Sequence, residues 1–329
     1  MRQRVSWIFA PRGSMDAFVL GARKTFASAL LGSALFFGAR EASASACCGS
    51  GHGLGQRLGP FERGAIGLSF RFSDRFGSHG HAGGFTLAPA GTLDAEGRAE
   101  LGGLFAPIPR LQLGLVAPVL LNIRGSRDDT AVVGGGFGDL SLSARFDIVS
   151  LTTTSAWPAI ALTTGVSLPT GRSAAAAKDP LATDATGLGA AEVRPGVFVE
   201  KNWDNRASAV FSASIGLRTP MTGARGERIG LGPRARFVAA AGPVFSSGWS
   251  LSAGLVHERE SAPSIAGVVT PDADRRRTAA LLFAGYDLSE RFTALASLEV
   301  DLPVPSLGKN EPSAVAFAIG LRRSFPRYE

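Results

Sequence analysis

Apolar and polar residues alternate with a period of two in one segment of the chain after another. In the last of these segments, one face carries Val315, Phe317, Ile319 and Leu321, and the apolar series continues to Phe325 near the C-terminus. The residues between them are small or polar. Because successive side chains of a strand point to opposite faces, this pattern predicts a β-strand with one apolar side.

Twelve segments of this kind follow one another, and none has the spacing of a long amphipathic helix. Strands of about ten residues are long enough to cross a bilayer when tilted, and membrane barrels have an even number of them. The segments centre on residues 66–72, 99–105, 111–119, 140–148, 160–168, 193–199, 209–217, 231–239, 249–255, 281–283, 292–302 and 313–325.

The connections between these segments alternate between long and short. If the N-terminus lies in the periplasm, every odd-numbered connection is long and external, and every even-numbered one is short. A soluble sandwich has no reason for this regularity, whereas an outer-membrane barrel does. The sequence therefore predicts an all-β fold, a transmembrane antiparallel up-and-down β-barrel of about 12 strands in the bacterial outer membrane.

The N-terminus has the features of an export signal. Arg23 and Lys24 precede an apolar stretch, and the small residues after it end in an Ala-x-Ala pattern at Ala44 and Ala46. Cleavage after Ala46 would divide the chain into a signal peptide (1–46), a short periplasmic segment (47–61) and the barrel (62–329). Met15 is a second candidate for the start of translation.

Two adjacent cysteines, Cys47 and Cys48, follow the predicted cleavage site and are the only cysteines of the chain. Three interpretations remain open: lipidation of Cys47, a thiol metal site with His52, or no function. A lipoprotein signal normally has a large aliphatic residue where this chain has Ala44, and a metal site needs more ligands at fixed spacing. The interpretation without a function is therefore favoured, and we expect no metal and no cofactor.

Charge gives little support to a nucleic-acid partner. The formal charge is +7, but the first 46 residues carry six basic and two acidic groups, which leaves 28 basic against 25 acidic groups in the remainder. No basic patch is interleaved with aromatic residues. The expected partners are outer-membrane lipid, an unidentified small-molecule solute and the barrel-assembly machinery, which would engage the C-terminal strand ending at Phe325.

Charged residues mostly occupy the register opposite the apolar face. On a lipid-facing surface, each basic group would cost about 2–4 kcal/mol near the midplane of the bilayer, so these side chains are expected inside the barrel. Acidic and basic groups are nearly matched, which favours a network that braces the lumen over a set of residues lining a solute path. The lumen-lining candidates are Arg71, Arg98, Glu100, Arg145, Asp147, Glu192, Arg194, Arg234, Arg236 and Glu299.

Two glycine-led motifs, residues 136–140 (Gly-Phe-Gly-Asp-Leu) and residues 166–171 (Val-Ser-Leu-Pro-Thr-Gly), resemble a known family. They are similar to the pattern of the meta-pathway phenol-degradation family of outer-membrane proteins, whose members are described as twelve-stranded, transporter-like barrels. The resemblance spans residues 64–325 and implies uptake of aromatic hydrocarbons. The double cysteine and the histidines before the second strand are not part of that pattern.

Catalytic signatures are missing from the sequence. There is no Gly-x-Ser-x-Gly, His-Glu-x-x-His or P-loop motif, and His257 and Glu258 are strand neighbours that point to opposite faces. The chain is therefore not expected to be an enzyme. We expect a passive channel for small, hydrophobic or aromatic solutes; the alternative is a structural or sensory barrel with a plugged lumen, anchored by a lipid on Cys47.

Overall fold

The structure, a computed structural model, describes residues 57–59, 61–126, 130–151, 157–204 and 206–327. The predicted signal peptide (1–46), both cysteines and His52 lie outside the described residues.

Twelve long antiparallel strands form the body of the protein. They are β1 Glu62–His79, β2 Leu93–Ile108, β3 Leu111–Gly125, β4 Leu140–Val149, β5 Ala159–Leu168, β6 Glu192–Trp203, β7 Ala207–Arg218, β8 Arg234–Pro243, β9 Trp249–Glu260, β10 Arg275–Asp287, β11 Phe292–Asp301 and β12 Glu311–Pro326.

The strands pair in chain order, and β12 pairs with β1, so the sheet closes into a barrel. At this closing seam, Phe72 of β1 lies opposite Phe317 of β12, and Arg71 lies opposite Ala318. Closure satisfies the backbone hydrogen bonds that a membrane-spanning sheet would otherwise leave at its edges. The predicted fold, with twelve strands and up-and-down topology, is confirmed.

Alternation along each strand separates an outer from an inner surface. On β1, the apolar residues Ile66, Leu68, Phe70 and Phe72 are all exposed, whereas Ser69 between them is only 2% exposed. Large side chains that stay exposed on the outside of a closed barrel suit lipid rather than water. The outer surface therefore forms the apolar band that the period-two pattern predicted.

Aromatic residues gather at the end of the barrel where β1 begins, β12 ends and the short turns lie, which is the periplasmic end of such barrels. Trp249 stacks on Tyr286 with ring centroids 4.6 Å apart. Further exposed aromatic residues at this end are Phe61, Phe105, Trp157, Trp203, Phe292 and Phe325. Such belts place amphipathic rings at the headgroup level of the membrane.

Several strands extend further towards the outer end than the alternation predicted. β1 continues to His79, and β10 begins at Arg275. The segment Val132–Phe137 comes before β4 in the chain and is separated from it by Gly138 and Asp139. It pairs with β3 and so extends the line of β4 towards the outer end. The last outer connection, residues 302–310, is no longer than the periplasmic turn at 150–158. The alternation of long and short connections is thus present but less regular than expected.

The outer connections carry short elements of their own. Met221–Thr222, Arg228–Gly230, Ser264–Ile265 and Val268–Val269 form a small separate sheet between the fourth and fifth outer loops. Phe85–Leu87 adds to β1, and Ala174–Ala176 forms one 3-10 turn. Within the described ranges, no helix is long and apolar enough to span a membrane.

Candidate functional site

The inner surface of the barrel carries a network of ion pairs. Arg277 of β10 pairs with Glu299, and its Nε lies 2.7 Å from Asp301 Oδ1; both carboxylates belong to β11. Arg71 approaches Glu299 to 3.8 Å across β12. Acidic and basic groups from several strands are thereby joined, which lowers the cost of keeping them in the lumen.

The network continues on the neighbouring strands. Glu258 of β9 pairs with Arg234 and with Arg236 of β8, whose Nε lies 3.2 Å from the carboxylate. Arg218 lies between Glu260, at 3.1 Å, and Glu192, at 3.7 Å. These contacts connect four successive strands, β6 to β9, through side chains on the inner face.

Elsewhere the charged groups pair within one strand, two residues apart. Arg98 lies 2.6 Å from Glu100 on β2, and Arg145 donates a 2.8 Å hydrogen bond to Asp147 on β4. Arg194 pairs in the same way with Glu192 on β6. Because residues i and i+2 of a strand share a face, this spacing places each arginine beside its own carboxylate.

All ten residues proposed from the sequence as lumen-lining candidates lie in these ion pairs. Glu100, Arg145, Asp147, Glu192 and Glu299 are buried, and the five arginines Arg71, Arg98, Arg194, Arg234 and Arg236 are half-buried. Their charges are therefore compensated by partners on the inner face.

Arg277 was missed by the sequence analysis. It stands in a run of three arginines, Arg275 to Arg277, which was assigned to an outer loop. The inward register of the strand, continued backwards in steps of two from Leu281 and Ala279, would have placed Arg277 inside.

The inner face also carries apolar groups. Leu281 and Phe283 of β10 are buried, and Leu281 packs with Val238, Val256 and Ala279. Leu281 and Leu282 are adjacent and equally large and apolar, so the alternation did not indicate that Leu281 faces inwards and Leu282 outwards. The lumen is therefore a mixture of ion pairs and large apolar side chains, whereas the alternation predicted small or polar residues on the inner face.

A second apolar cluster lies next to the Arg145–Asp147 pair of β4. Phe198 packs with Ala161 and Val210, and the guanidinium of Arg145 lies over the Phe198 ring, 4.5 Å from its centroid. The stacking keeps the arginine flat against the wall, while its Nε is held by Asp147.

The third outer loop, residues 169–191, lies against the inner wall near the outer end. Asn122 of β3 donates hydrogen bonds from its amide to the main-chain oxygens of Thr183 and Ala185, both at 2.8 Å. Arg124 donates to the carbonyl oxygens of Leu181 and Ala182. Since both side chains belong to the inward register of β3, the loop passes inside the rim of the barrel.

The two glycine-led motifs are brought together at the base of this loop. Asp139 accepts hydrogen bonds from the backbone N–H groups of Gly171 and Leu188, and the hydroxyl of Thr170 donates to the Gly138 carbonyl. At Gly187, a Cβ would lie 2.3 Å from the Asp139 carboxylate. The motifs therefore have a structural role, since they fix the inward loop to the start of β4.

The periplasmic end is occupied by residues 57–59, which precede β1. Arg57 pairs with Glu200 of β6 at 2.8 Å, and the backbone N–H of Leu58 donates to the side-chain oxygen of Gln112 on β3. Leu58 is buried with Ala65 in a small apolar cluster. This segment thus bridges the inner faces of two strands separated by β4 and β5.

Histidine 257 and Glu258 do not form a joint site. His257 shares a 2.9 Å hydrogen bond with the Thr278 hydroxyl, whereas the Glu258 carboxylate points the other way and pairs with arginines. In the part of the chain that the structure describes, no three His, Cys, Asp or Glu side chains are grouped to hold a metal ion.

No family model matches the sequence, and no curated protein matches it. Solved structures do match. An outer-membrane channel from Pseudomonas putida F1 aligns with a TM-score of 0.66 and 16% identity, over 82% of this chain and 97% of that chain. The NanC porin aligns with a TM-score of 0.47 and 9% identity, over 78% and 100% of the two chains.

A mutant of the monoaromatic hydrocarbon channel TodX aligns with a TM-score of 0.39 and 11% identity, over 82% of this chain and 91% of that chain. The comparison of folds rests on the first of these structures, since only its TM-score is above one half. Together with the closed sheet and the apolar outer band, it confirms the predicted fold, a twelve-stranded β-barrel of the outer-membrane type.

Proposed function

We propose that this barrel is a passive channel for small solutes. The observation that carries the proposal is the ion-paired inner surface, in which Arg277, Glu299 and Asp301 are the centre of a network running along the wall. Paired charges on the wall remain compatible with water beside them.

The solutes should be small because both ends of the lumen are narrowed. The third outer loop is held inside the outer rim by Asn122, and Arg57 and Leu58 lie inside the periplasmic end. Each element is attached by contacts outside the strand ladder, so each can move without breaking the pairing of the strands.

The apolar clusters around Phe198 and Leu281 support a solute with a hydrophobic or aromatic part. Such a solute could pass along these clusters while the ion pairs keep water and the charged side chains in place. The resemblance of residues 136–140 and 166–171 to the meta-pathway phenol-degradation family points to the same class of solute, and membership of that family is part of this proposal.

Conductance of the refolded protein in planar lipid bilayers tests the proposal. We expect discrete open steps, larger steps for Arg57→Ala, and passage of phenol-sized solutes in a vesicle-swelling assay. Arg206→Ala, which changes an exposed arginine in a periplasmic turn, is the matched control and should behave as the unmodified protein.

Silence at all voltages, in the unmodified protein and in Arg57→Ala, would favour the second candidate, a structural or sensory barrel with a plugged lumen. The contacts of Asn122 and Arg57 with the two ends favour that candidate as well. The lipid anchor on Cys47 that the alternative includes, and assembly through the strand that ends at Phe325, remain proposals.

A further inference from the structure

The outer surface of the closing seam carries two arginines that lie over aromatic rings at the periplasmic end. Arg63 of β1 lies over Phe105, 5.8 Å from its centroid, and Arg323 of β12 lies 5.7 Å and 5.2 Å from the centroids of Phe292 and Phe325. These five residues, here called the seam patch, come from four adjacent strands, β11, β12, β1 and β2.

The seam patch faces away from the lumen. Arg323 and Phe325 have the register of the exposed Leu321, and Phe105 and Phe292 are exposed as well. The carboxylate of Glu62, next to Arg63 in the sequence, points inwards and pairs with Arg322. Among the described residues, neither Arg63 nor Arg323 has a carboxylate partner, so both exposed guanidinium groups retain free donors.

We propose that the seam patch binds the phosphate headgroup of an anionic phospholipid in the periplasmic leaflet. The ring contacts restrain each guanidinium without using its N–H donors, and a guanidinium matches two phosphate oxygens at once. Ile66 lies opposite Arg323 on β1, and Leu321 lies two residues from Arg323 towards the middle of the bilayer; both are exposed and provide an apolar surface for the acyl chains.

The position in the barrel supports a lipid rather than a soluble anion. The patch lies in the aromatic belt, where headgroups meet the apolar band, and basic groups at this level attract anionic lipids. Binding there would join the first and last strands from outside, because Ile66 and Arg323 are paired across the seam. The site is independent of the lumen and therefore of the proposed channel function.

Native mass spectrometry of the refolded protein in detergent tests the site. Phosphatidylglycerol is titrated against phosphatidylcholine, with the unmodified protein, Arg63→Gln/Arg323→Gln, and the control Arg110→Gln/Arg206→Gln, which removes two exposed arginines from periplasmic turns. We expect preferential binding of phosphatidylglycerol, a loss of about tenfold or more in the seam variant, and no loss in the control.

The single variant Arg63→Gln, with an expected loss of about fivefold, serves if the double variant does not fold, as judged by heat-modifiable mobility. Equal binding of both lipids, or equal losses in the seam and control variants, would overturn the proposal. Full displacement of phosphatidylglycerol by millimolar inorganic phosphate would also overturn it, because the site would then recognise a free anion rather than a lipid.

Discussion

Asn122, on the inner face of β3, donates a 2.8 Å hydrogen bond from its side-chain amide to the main-chain oxygen of Thr183 in the third outer loop. Both residues are almost fully buried, with exposures of 2% and 1%. Thr183 also packs closely against the segment Val132–Phe137. Residue 134 of that segment has to be glycine, since a Cβ at Gly134 would lie 2.5 Å from the Thr183 hydroxyl. This pair fixes the third outer loop to the inner wall.

Replacing Asn122 should release the loop. Asn122→Ala removes the donor to the buried carbonyl of Thr183 and to the half-buried carbonyl of Ala185, which costs about 1–3 kcal/mol for a group that stays buried. The loop is therefore expected to move outwards, which would raise single-channel conductance and speed tryptic cleavage after Lys178, which is exposed but held in the ordered loop. Asn202→Ala, an inner amide at the periplasmic end, should leave both unchanged; the same conductance in the two variants would contradict the role of the loop.

The sequence was sufficient for the strands because membrane barrels impose a strict rule on each one. Ile66 and Phe72 must face lipid, and that requirement fixes every residue between them. The ends of the strands were less predictable, since β10 begins at Arg275 rather than near Leu281. Outside the bilayer, polar and apolar residues are both tolerated on either face, and alternation ceases to be informative.

The lumen could be predicted only in part. The charges were assigned to the interior by exclusion from lipid, but which groups pair depends on register and shear, which the sequence does not contain. The inward course of residues 169–191 depends on contacts of Asn122 and Asp139 with a loop distant in sequence. Polar residues such as these have no periodic signal that would distinguish an inner contact from exposure to water.

Arg277 should contribute more to stability than its position beside two other arginines suggests. Arg277→Gln leaves Glu299 and Asp301 with weaker partners in the lumen and should lower the free energy of unfolding by about 2 kcal/mol or more. Urea titrations of folding into lipid vesicles measure the difference. Arg275→Gln, two residues away and 56% exposed, should cost less than about 0.5 kcal/mol, and equal costs would contradict the assignment.

The third outer loop should loosen in acid. The backbone N–H of Lys178 and the side chain of Arg172 lower the pKa of Asp184 from 3.8 to about 2. Because this pKa is lowered by folding, the stabilisation of the loop is complete above pH 3.8 and is lost as the pH falls through about 2.

Asp184→Asn removes the charge at every pH, so trypsin should cleave at Arg172 or Lys178 faster than in the unmodified protein already at neutral pH. Asp272→Asn, in a different outer loop, is the control. Unchanged cleavage in Asp184→Asn would show that the Asp184 carboxylate does not hold the loop.

A charged side chain should destabilise the barrel more on the outer face of β12 than on its inner face. Phe317 lies on the outer register, so Phe317→Arg should lower the free energy of unfolding by about 2–4 kcal/mol if the site is near the midplane. Ala318 lies inside, directly opposite Arg71 of β1, so an arginine there would face a like charge, whereas Ala318→Glu would face an opposite one.

We therefore expect Ala318→Glu to fold as readily as the unmodified protein, Ala318→Arg to be intermediate, and Phe317→Arg to be the least stable. Refolding titrations of the three variants into lipid vesicles give this order, and Ala318→Arg/Arg71→Glu should recover the stability lost in Ala318→Arg. If Phe317→Arg folded as well as Ala318→Glu, Phe317 would not face lipid, and the register of the closing strand would have to shift by one residue. Such a shift would also turn the seam patch inwards, because Arg323 and Phe325 share the face of Phe317.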